Sequence, residues 1–282
     1  MTPASALAAR IVQLIAPLRE DPASAAVLCD VDGTLAPIVE APEDAAVPGQ
    51  TRETLRELAR RYALVACVSG RRAVEARWLV DVDELAYAGN HGLELLPPGA
   101  REPILDPAIE QRGRPVRQFV LELEATALSA AGLRLEDKGP IQALHWRGAA
   151  DEEAAERRAR QIAAEASQAG LQPRWGRKVL EIRPAYRIDK GTAVERLLSE
   201  GRLESALYAG DDRTDLDAFR ALRSLVTAGK LRCTVCIGVD SAEAPAELSE
   251  QSDALVAGPE EFAAVLRALA RPMDRTLGTA RG

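Results

Sequence analysis

The stretch that decides the fold runs from Ala25 to Ile38 and reads A-A-V-L-C-D-V-D-G-T-L-A-P-I. Its first five residues are apolar at every position, the pattern of a strand buried on both faces inside a parallel sheet. The run stops at Asp30 and Asp32, one residue apart, and then meets the turn pair Gly33-Thr34. Ligands bind beyond the carboxyl ends of the strands in an open parallel sheet. The stretch therefore predicts a buried strand that carries two carboxylates to a site at its end.

Working outward, Thr51 to Arg61 places its leucines at helical spacing, and Ala63 to Val68 and Leu85 to Ala88 are apolar runs of strand length. Near the other end, Asp189 to Leu198 reads as a helix, Ala206 to Ala209 as a strand, Thr214 to Leu222 as a helix and Thr234 to Val239 as a strand. A leading helix over Ser5 to Ala16 is expected to end at Pro17. Alternation of this kind predicts an α/β fold, a Rossmann-like parallel sheet with helices on both faces. Between the two stretches lies a different pattern: a helix over Gln118 to Ala131, strands over Leu133 to Lys138 and Ile141 to Arg147 around Gly139-Pro140, a helix over Asp151 to Gln168, and a strand over Val179 to Arg183. Prolines between 97 and 107 and at Pro184 flank it. A smaller α/β domain is thus expected as an insertion at 105–184, within a core formed by 1–104 and 185–282.

Composition narrows the classes of partner. With 36 basic and 43 acidic residues the formal charge is −7, which argues against nucleic acid or an anionic membrane as the main partner. No stretch reaches the roughly 20 apolar residues of a membrane span, and the first 20 residues lack the basic start and cleavage site of a signal peptide, so a cytoplasmic address is expected. Cys233 and Cys236 form a lone C-T-V-C inside an apolar run. A structural zinc site needs two more ligands, so all four cysteines are expected to be reduced, with no metal among them.

Three more stretches end strands or begin helices in the same way as the first. Val68-Ser69-Gly70-Arg71 supplies a hydroxyl and backbone N–H groups for a phosphate oxygen. Lys190, in I-D-K-G, opens a helix, where ammonium and helix N-terminus both favour an anion. Gly210-Asp211-Asp212-Arg213-Thr214-Asp215 gathers carboxylates that are costly without a cation, and hard oxygen ligands suit Mg²⁺. A lone D-x-D is weak evidence, since carboxylates often sit in solvated loops. The string D-x-D-G-T-L is far more specific.

These four signatures, in this order, resemble those of the haloacid-dehalogenase-like (HAD-like) phosphatases. D-V-D-G-T-L-A-P-I at 30–38, A-G-N-H-G-L-E at 88–94, E-D-K-G-P-I-Q-A-L-H-W-R at 136–147, G-R-K-V-L-E-I-R-P at 176–184 and G-D-D-R-T-D-L-D-A-F at 210–219 together resemble the trehalose-6-phosphate phosphatases, over Val27 to Leu269. The resemblance implies that Asp30 is a nucleophile forming an aspartyl-phosphate and Asp32 a general acid and base. It implies Mg²⁺ held by Asp30, the main-chain carbonyl of Asp32, and Asp211, with Asp212 and Asp215 as a further ligand or as support. Ser69, Gly70, Arg71 and Lys190 would hold the phosphate. The inserted domain would be a cap, with Lys138, Arg147, Arg177 and Glu181 reading sugar hydroxyls, Arg147 and Glu181 from strands. His91 lines the cleft near the cap hinge or is a hydrogen-bonded structural residue; His145, in a cap strand, is expected to be structural. Val31, Gln142 and Trp146 depart from the family's usual residues, the last two inside the cap motif.

The implied substrate is the small molecule trehalose 6-phosphate, with sucrose 6-phosphate or a glucosylglycerol phosphate as alternatives. A non-catalytic sugar-phosphate regulator on the same fold is a further alternative, against which the intact Asp30, Asp32, Lys190 and Asp211 count. A nucleotide-binding oxidoreductase is set aside because no G-x-G-x-x-G follows the first strand.

Overall fold

The computed structural model describes residues 3–39, 45–105, 107–185, 189–199, 201–241 and 244–272. The chain divides into two compact units, 1–104 with 188–282, and 105–187. In the first unit the elements up to the insertion are α1 (Pro3–Leu14), α2 (Ala16–Glu20), β1 (Ala25–Cys29), α3 (Gly49–Ala59), β2 (Leu64–Val68), α4 (Ala73–Val80), β3 (Ala86–Gly89) and β4 (Glu94–Leu96). At the junction lies β5 (Ile104–Leu105); the second unit holds α5 (Pro107–Glu122), α6 (Ala125–Ala130), β6 (Arg134–Lys138), β7 (Ile141–His145), α7 (Glu152–Gln168), β8 (Gln172–Gly176) and β9 (Val179–Arg183). The first unit resumes with α8 (Lys190–Leu197), β10 (Ser205–Gly210), α9 (Asp215–Thr227), β11 (Cys233–Val239), α10 (Ala246–Gln251), β12 (Ala254–Val256) and α11 (Gly258–Ala270).

Among the described residues the larger sheet has the order β12-β11-β10-β1-β2-β3-β4-β5. It is parallel from β12 to β3, and β4 pairs antiparallel with β3. All five residues of β1 are buried, and their alternation divides them between two cores. Ala25, Val27 and Cys29 face a layer that includes Leu55, Leu58 and Phe262; Ala26 and Leu28 face one that includes Val194, Phe219 and Leu222. From β1 the chain moves one way to β2 and β3, and later the other way through β10, β11 and β12. The order therefore reverses between β1 and β10, and the crevice above their carboxyl ends is the ligand position of such sheets.

The second unit is a four-stranded antiparallel sheet, β6-β7-β9-β8. Leu144, Leu180 and Ile182 pack with Val116, Ile162 and Ala166 in a core of their own. Alternation leaves Glu136, Lys138, Glu181 and Arg183 on the opposite face.

Several expectations need correction. Pro17 does not close the leading helix: the chain breaks after Leu14 and restarts as α2 with Pro17 in its first turn, where a missing N–H is harmless. The helix expected over Gln118 to Ala131 is two, α5 and α6, because Glu124 takes a non-helical backbone conformation with positive φ (55°). The segment Q-P-R-W-G becomes β8, an edge strand that tolerates Pro173. Arg147 is not on a strand, since β7 ends at His145 and the chain turns at Gly148 (φ 76°).

Candidate active site

Asp30 follows β1 directly, and its N–H donates to the Ala209 carbonyl at 2.9 Å, extending the β1–β10 ladder by one step. That fixes its carboxylate at the reversal point, 4% exposed. Lys190 approaches from the start of α8. Asp189 caps that helix, accepting from the Thr192 N–H at 2.9 Å while the Thr192 hydroxyl sits 3.2 Å from the Asp189 N–H, a reciprocal capping box that sets where the helix begins. Lys190 Nζ then lies 3.0 Å from Asp30 Oδ1 and 2.7 Å from Asp215 Oδ1.

Asp215 is the anchor of the cluster. Its Oδ1 accepts from Lys190 and from the Tyr208 hydroxyl, each at 2.7 Å, and its Oδ2 accepts from the N–H groups of Asp211 and Asp212, each at 3.0 Å. Burial and the carboxylates of Asp30 and Asp212 push its pKa up, but all four partners donate, so the group is held as a carboxylate. With its oxygens committed in this way, Asp215 braces the β10–α9 turn. Asp212 Oδ1 likewise accepts from Thr214 N–H and Oγ1 and from the Asp215 N–H. Burial works against its charged form, yet Lys190 and these bonds prevail and hold it down at about 2.

Asp30 and Asp211 behave differently. Burial pushes Asp30 up to about 7 against the pull of Lys190, with Asp212 and Asp211 adding to the rise. Burial, then Asp215 and Asp212, lift Asp211 to about 7 as well. Around the single ammonium of Lys190 the protein has gathered Asp30, Asp211, Asp212 and Asp215, an excess of negative charge that invites a cation. Carboxylate oxygens of Asp30, Asp211 and Asp215 lie within 4.8 Å of one another, the one such group among the described residues. Because Asp215 is already saturated, Asp30 and Asp211 are the carboxylates able to ligate. An all-oxygen donor set of this kind fits a hard divalent ion. Gly33 (φ 79°) makes the approach possible: a Cβ there would stand 2.1 Å from Asp211 Oδ2.

Asp32 points elsewhere. Both its oxygens accept from Arg71, Oδ2 from Nε at 2.8 Å and Oδ1 from Nη2 at 2.7 Å. Asp30, Asp32, Ser69, Gly70, Arg71, His91, Lys190, Asp211, Asp212 and Thr214, with Ile38, line one cleft of about 420 Å³. Every residue read from the sequence as nucleophile, acid, phosphate holder or metal ligand in the first unit is therefore in one place.

In the second unit, Lys138 Nζ is 3.4 Å from Glu181 Oε1. Arg183, buried, donates Nε at 3.0 Å and Nη2 at 2.6 Å to Glu181 Oε2. His145 Nε2 sits 2.7 Å from Glu136 Oε2, so its role is to pair with that carboxylate. Arg147 and Arg177 are not part of this group: both are exposed, on turns at the end of the sheet where the Trp146 N–H meets the Lys178 carbonyl. Gln142 and Trp146 lie away from Glu181. The first braces the Asp137–Gly139 turn, and the second packs edge-on against Trp175.

The sequence matches the trehalose-phosphatase family over residues 28–252. The chain belongs to that family. Its similarity extends to trehalose 6-phosphate phosphatase RA3 of Zea mays, 36% identical over 214 residues, covering 70% of this chain and 58% of the relative. It is 31% identical over 264 residues to probable trehalose-phosphate phosphatase 2 of Oryza sativa, covering 84% and 69%. The chain spans little more than half the length of most of these plant relatives. The solved structure of Aspergillus fumigatus trehalose-6-phosphate phosphatase shares the fold, with a TM-score of 0.62 at 24% identity, covering 93% of this chain and 96% of that one. Tyr208, Thr34 and Arg183 touch Asp215, Asp211 and Glu181 respectively, and the sequence reading gave none of them a role. Tyr208 looks like core in the run S-A-L-Y-A-G, and only its hydroxyl, aimed at Asp215, separates it from a packing residue.

Proposed function

We propose that this chain is a Mg²⁺-dependent phosphomonoesterase that hydrolyses trehalose 6-phosphate to trehalose and inorganic phosphate, acting in trehalose biosynthesis in the cytoplasm. The observation that carries the reading is the meeting, at the sheet's reversal point, of a buried carboxylate nucleophile beside Lys190, a second carboxylate on Arg71, and the Ser69-Gly70 turn.

An Asp30 oxygen attacks phosphorus, a P–O bond to Asp30 forms, and the ester P–O bond breaks. The departing sugar oxygen takes its proton from the Asp32 carboxyl. In the second half Asp32, now a carboxylate, takes a proton from water. The water oxygen attacks phosphorus and the P–O bond to Asp30 breaks, returning the carboxylate and releasing phosphate. Because Arg71 engages both oxygens of Asp32, proton delivery requires that pair to open, and a phosphate oxygen is a replacement partner for the guanidinium. Lys190 neutralises Asp30 and, beside it, the incoming phosphate. Asp30, Asp211 and the main-chain carbonyl of Asp32 would hold Mg²⁺, which when bound supplies charge neutralisation for the phosphoryl oxygens. In the second unit, Lys138 and Glu181 offer a donor and an acceptor for sugar hydroxyls.

Phosphate release from a panel of sugar phosphates, with and without Mg²⁺, tests the reading. Release from trehalose 6-phosphate well above that from sucrose 6-phosphate and glucosylglycerol phosphate, abolished by chelator, is expected. Preference for another sugar would reassign the substrate, and no release from any would leave a binding protein.

A further inference from the structure

The segment Gly89-Asn90-His91-Gly92-Leu93-Glu94 takes no part in the chemistry above, yet it is built at some cost. Asn90 (φ 49°) and His91 (φ 59°) are consecutive non-glycine residues in the left-handed region, where a Cβ crowds the backbone and glycine is the unstrained choice. Strain of this sort persists only where its surroundings impose it, and it gathers at functional sites. Here the surroundings do impose it. The Asn90 N–H donates to the Arg71 carbonyl at 2.7 Å and the His91 N–H to the Ser69 carbonyl at 3.0 Å. Glu94 Oε1 accepts from the Ala73 N–H at 2.8 Å and from Asn90 Nδ2 at 3.0 Å, both buried. The segment is thereby stitched to the Ser69-Gly70-Arg71 turn on both sides, and the His91 side chain lines the cleft with Asp30, Ser69 and Lys190.

The position of the ring is specific. A Cβ on Gly70 would stand 2.9 Å from His91 Cε1 and 3.1 Å from Nε2, so the imidazole occupies the space that any other residue at 70 would take, directly beside the turn that lines the cleft. Histidine at this position sets a polar ring beside Gly70, against the turn that lines the cleft.

We infer that His91 contacts the phosphoryl group of the substrate from beside Ser69 and Gly70. The inference rests on the phosphatase reading for what the cleft holds, and its test is separable from the sugar assignment. His91→Gly relieves the backbone, and His91→Asn keeps a residue tolerant of the left-handed region with a shorter arm. Each is compared with wild type by binding of inorganic phosphate in the presence of Mg²⁺, by kcat/KM for p-nitrophenyl phosphate and trehalose 6-phosphate, and by thermal midpoint. Expected are a midpoint equal to or above wild type for His91→Gly, phosphate binding weakened at least fivefold in both variants, and kcat/KM lowered at least tenfold on both substrates. If wild type fails on trehalose 6-phosphate, the sugar assignment falls, while inorganic phosphate and the aryl ester still test His91. Unchanged phosphate binding in the Asn variant would overturn the inference, as would a loss confined to the sugar substrate. A lowered midpoint with phosphate constants intact would make His91 a packing residue and overturn it too.

Discussion

Asp211→Asn keeps the shape of a side chain at the centre of the site and removes its charge. In the folded protein burial, with Asp215 and Asp212, raises the Asp211 carboxyl from 3.8 to about 7. Between those values the folded chain holds a proton that the unfolded chain has released, so without a divalent cation the parent loses stability as pH rises from about 4 to about 7 and little more beyond. The difference, 7 minus 3.8, is worth an upper bound of about 4 kcal/mol at about 1.4 kcal/mol for each tenfold in proton affinity. Because Asp211 also raises Asp30, its removal relieves both, and the substituted amide oxygen can still accept from the Thr34 hydroxyl, which stands 3.4 Å from Asp211 Oδ1. Urea unfolding in chelator should show the variant about 2–4 kcal/mol more stable than the parent at pH 8, with the gap falling below half by pH 5. Millimolar Mg²⁺ should stabilise the parent and leave the variant nearly unmoved. A variant no more stable than the parent at pH 8 in chelator, or a gap independent of pH, would refute the reasoning that Asp211 is an uncompensated carboxylate awaiting a cation.

Asp32→Asn should cripple turnover of a sugar phosphate through lost proton delivery, while rapid-quench kinetics with an aryl phosphate of good leaving ability recover part of the first step; equal loss of that step on both substrates would remove the acid role. Tyr208→Phe removes one of four donors to buried Asp215 and should cost about 1–2 kcal/mol in unfolding, and a neutral result would mean that the Asp215 anchor does not need it. Glu181→Ala should lower kcat/KM for trehalose 6-phosphate at least tenfold with p-nitrophenyl phosphate little changed, since binding energy from the unreacting sugar orients the reacting end. Parallel loss on both would assign Glu181 to the architecture of its sheet.

Much of the first unit was legible because a buried strand cannot hold carboxylates, so Asp30 and Asp32 marked where β1 had to end and where the site had to begin. Lys190 was legible through the I-D-K-G string that opens a helix, and the Asp211–Asp215 cluster through its density of charge. What was hidden was set by contacts distant in sequence. The pairing of Asp32 with Arg71 joins the ends of two neighbouring strands, and no local pattern announces that the Asp32 oxygens are engaged. The saturation of Asp215 depends on a tyrosine in a core strand and on two main-chain N–H groups. In the second unit, Glu124 breaks a helix by a backbone angle that its side chain does not advertise, and β8 is an edge strand whose Pro173 reads as loop. Arg147 and Arg177 share motifs with Lys138 and Glu181 but fall on turns, because a motif records neighbours in sequence while strand register decides which side chains share a face.

The central claim is that Asp30 becomes covalently phosphorylated. Wild type mixed with trehalose 6-phosphate and Mg²⁺, quenched during turnover, reduced with borohydride and digested, should yield the peptide containing residues 25–38 with Asp30 converted to homoserine, and the Asp30→Asn variant should yield neither that product nor phosphate. Sustained phosphate release by Asp30→Asn, or trapping at another carboxylate, would contradict the account.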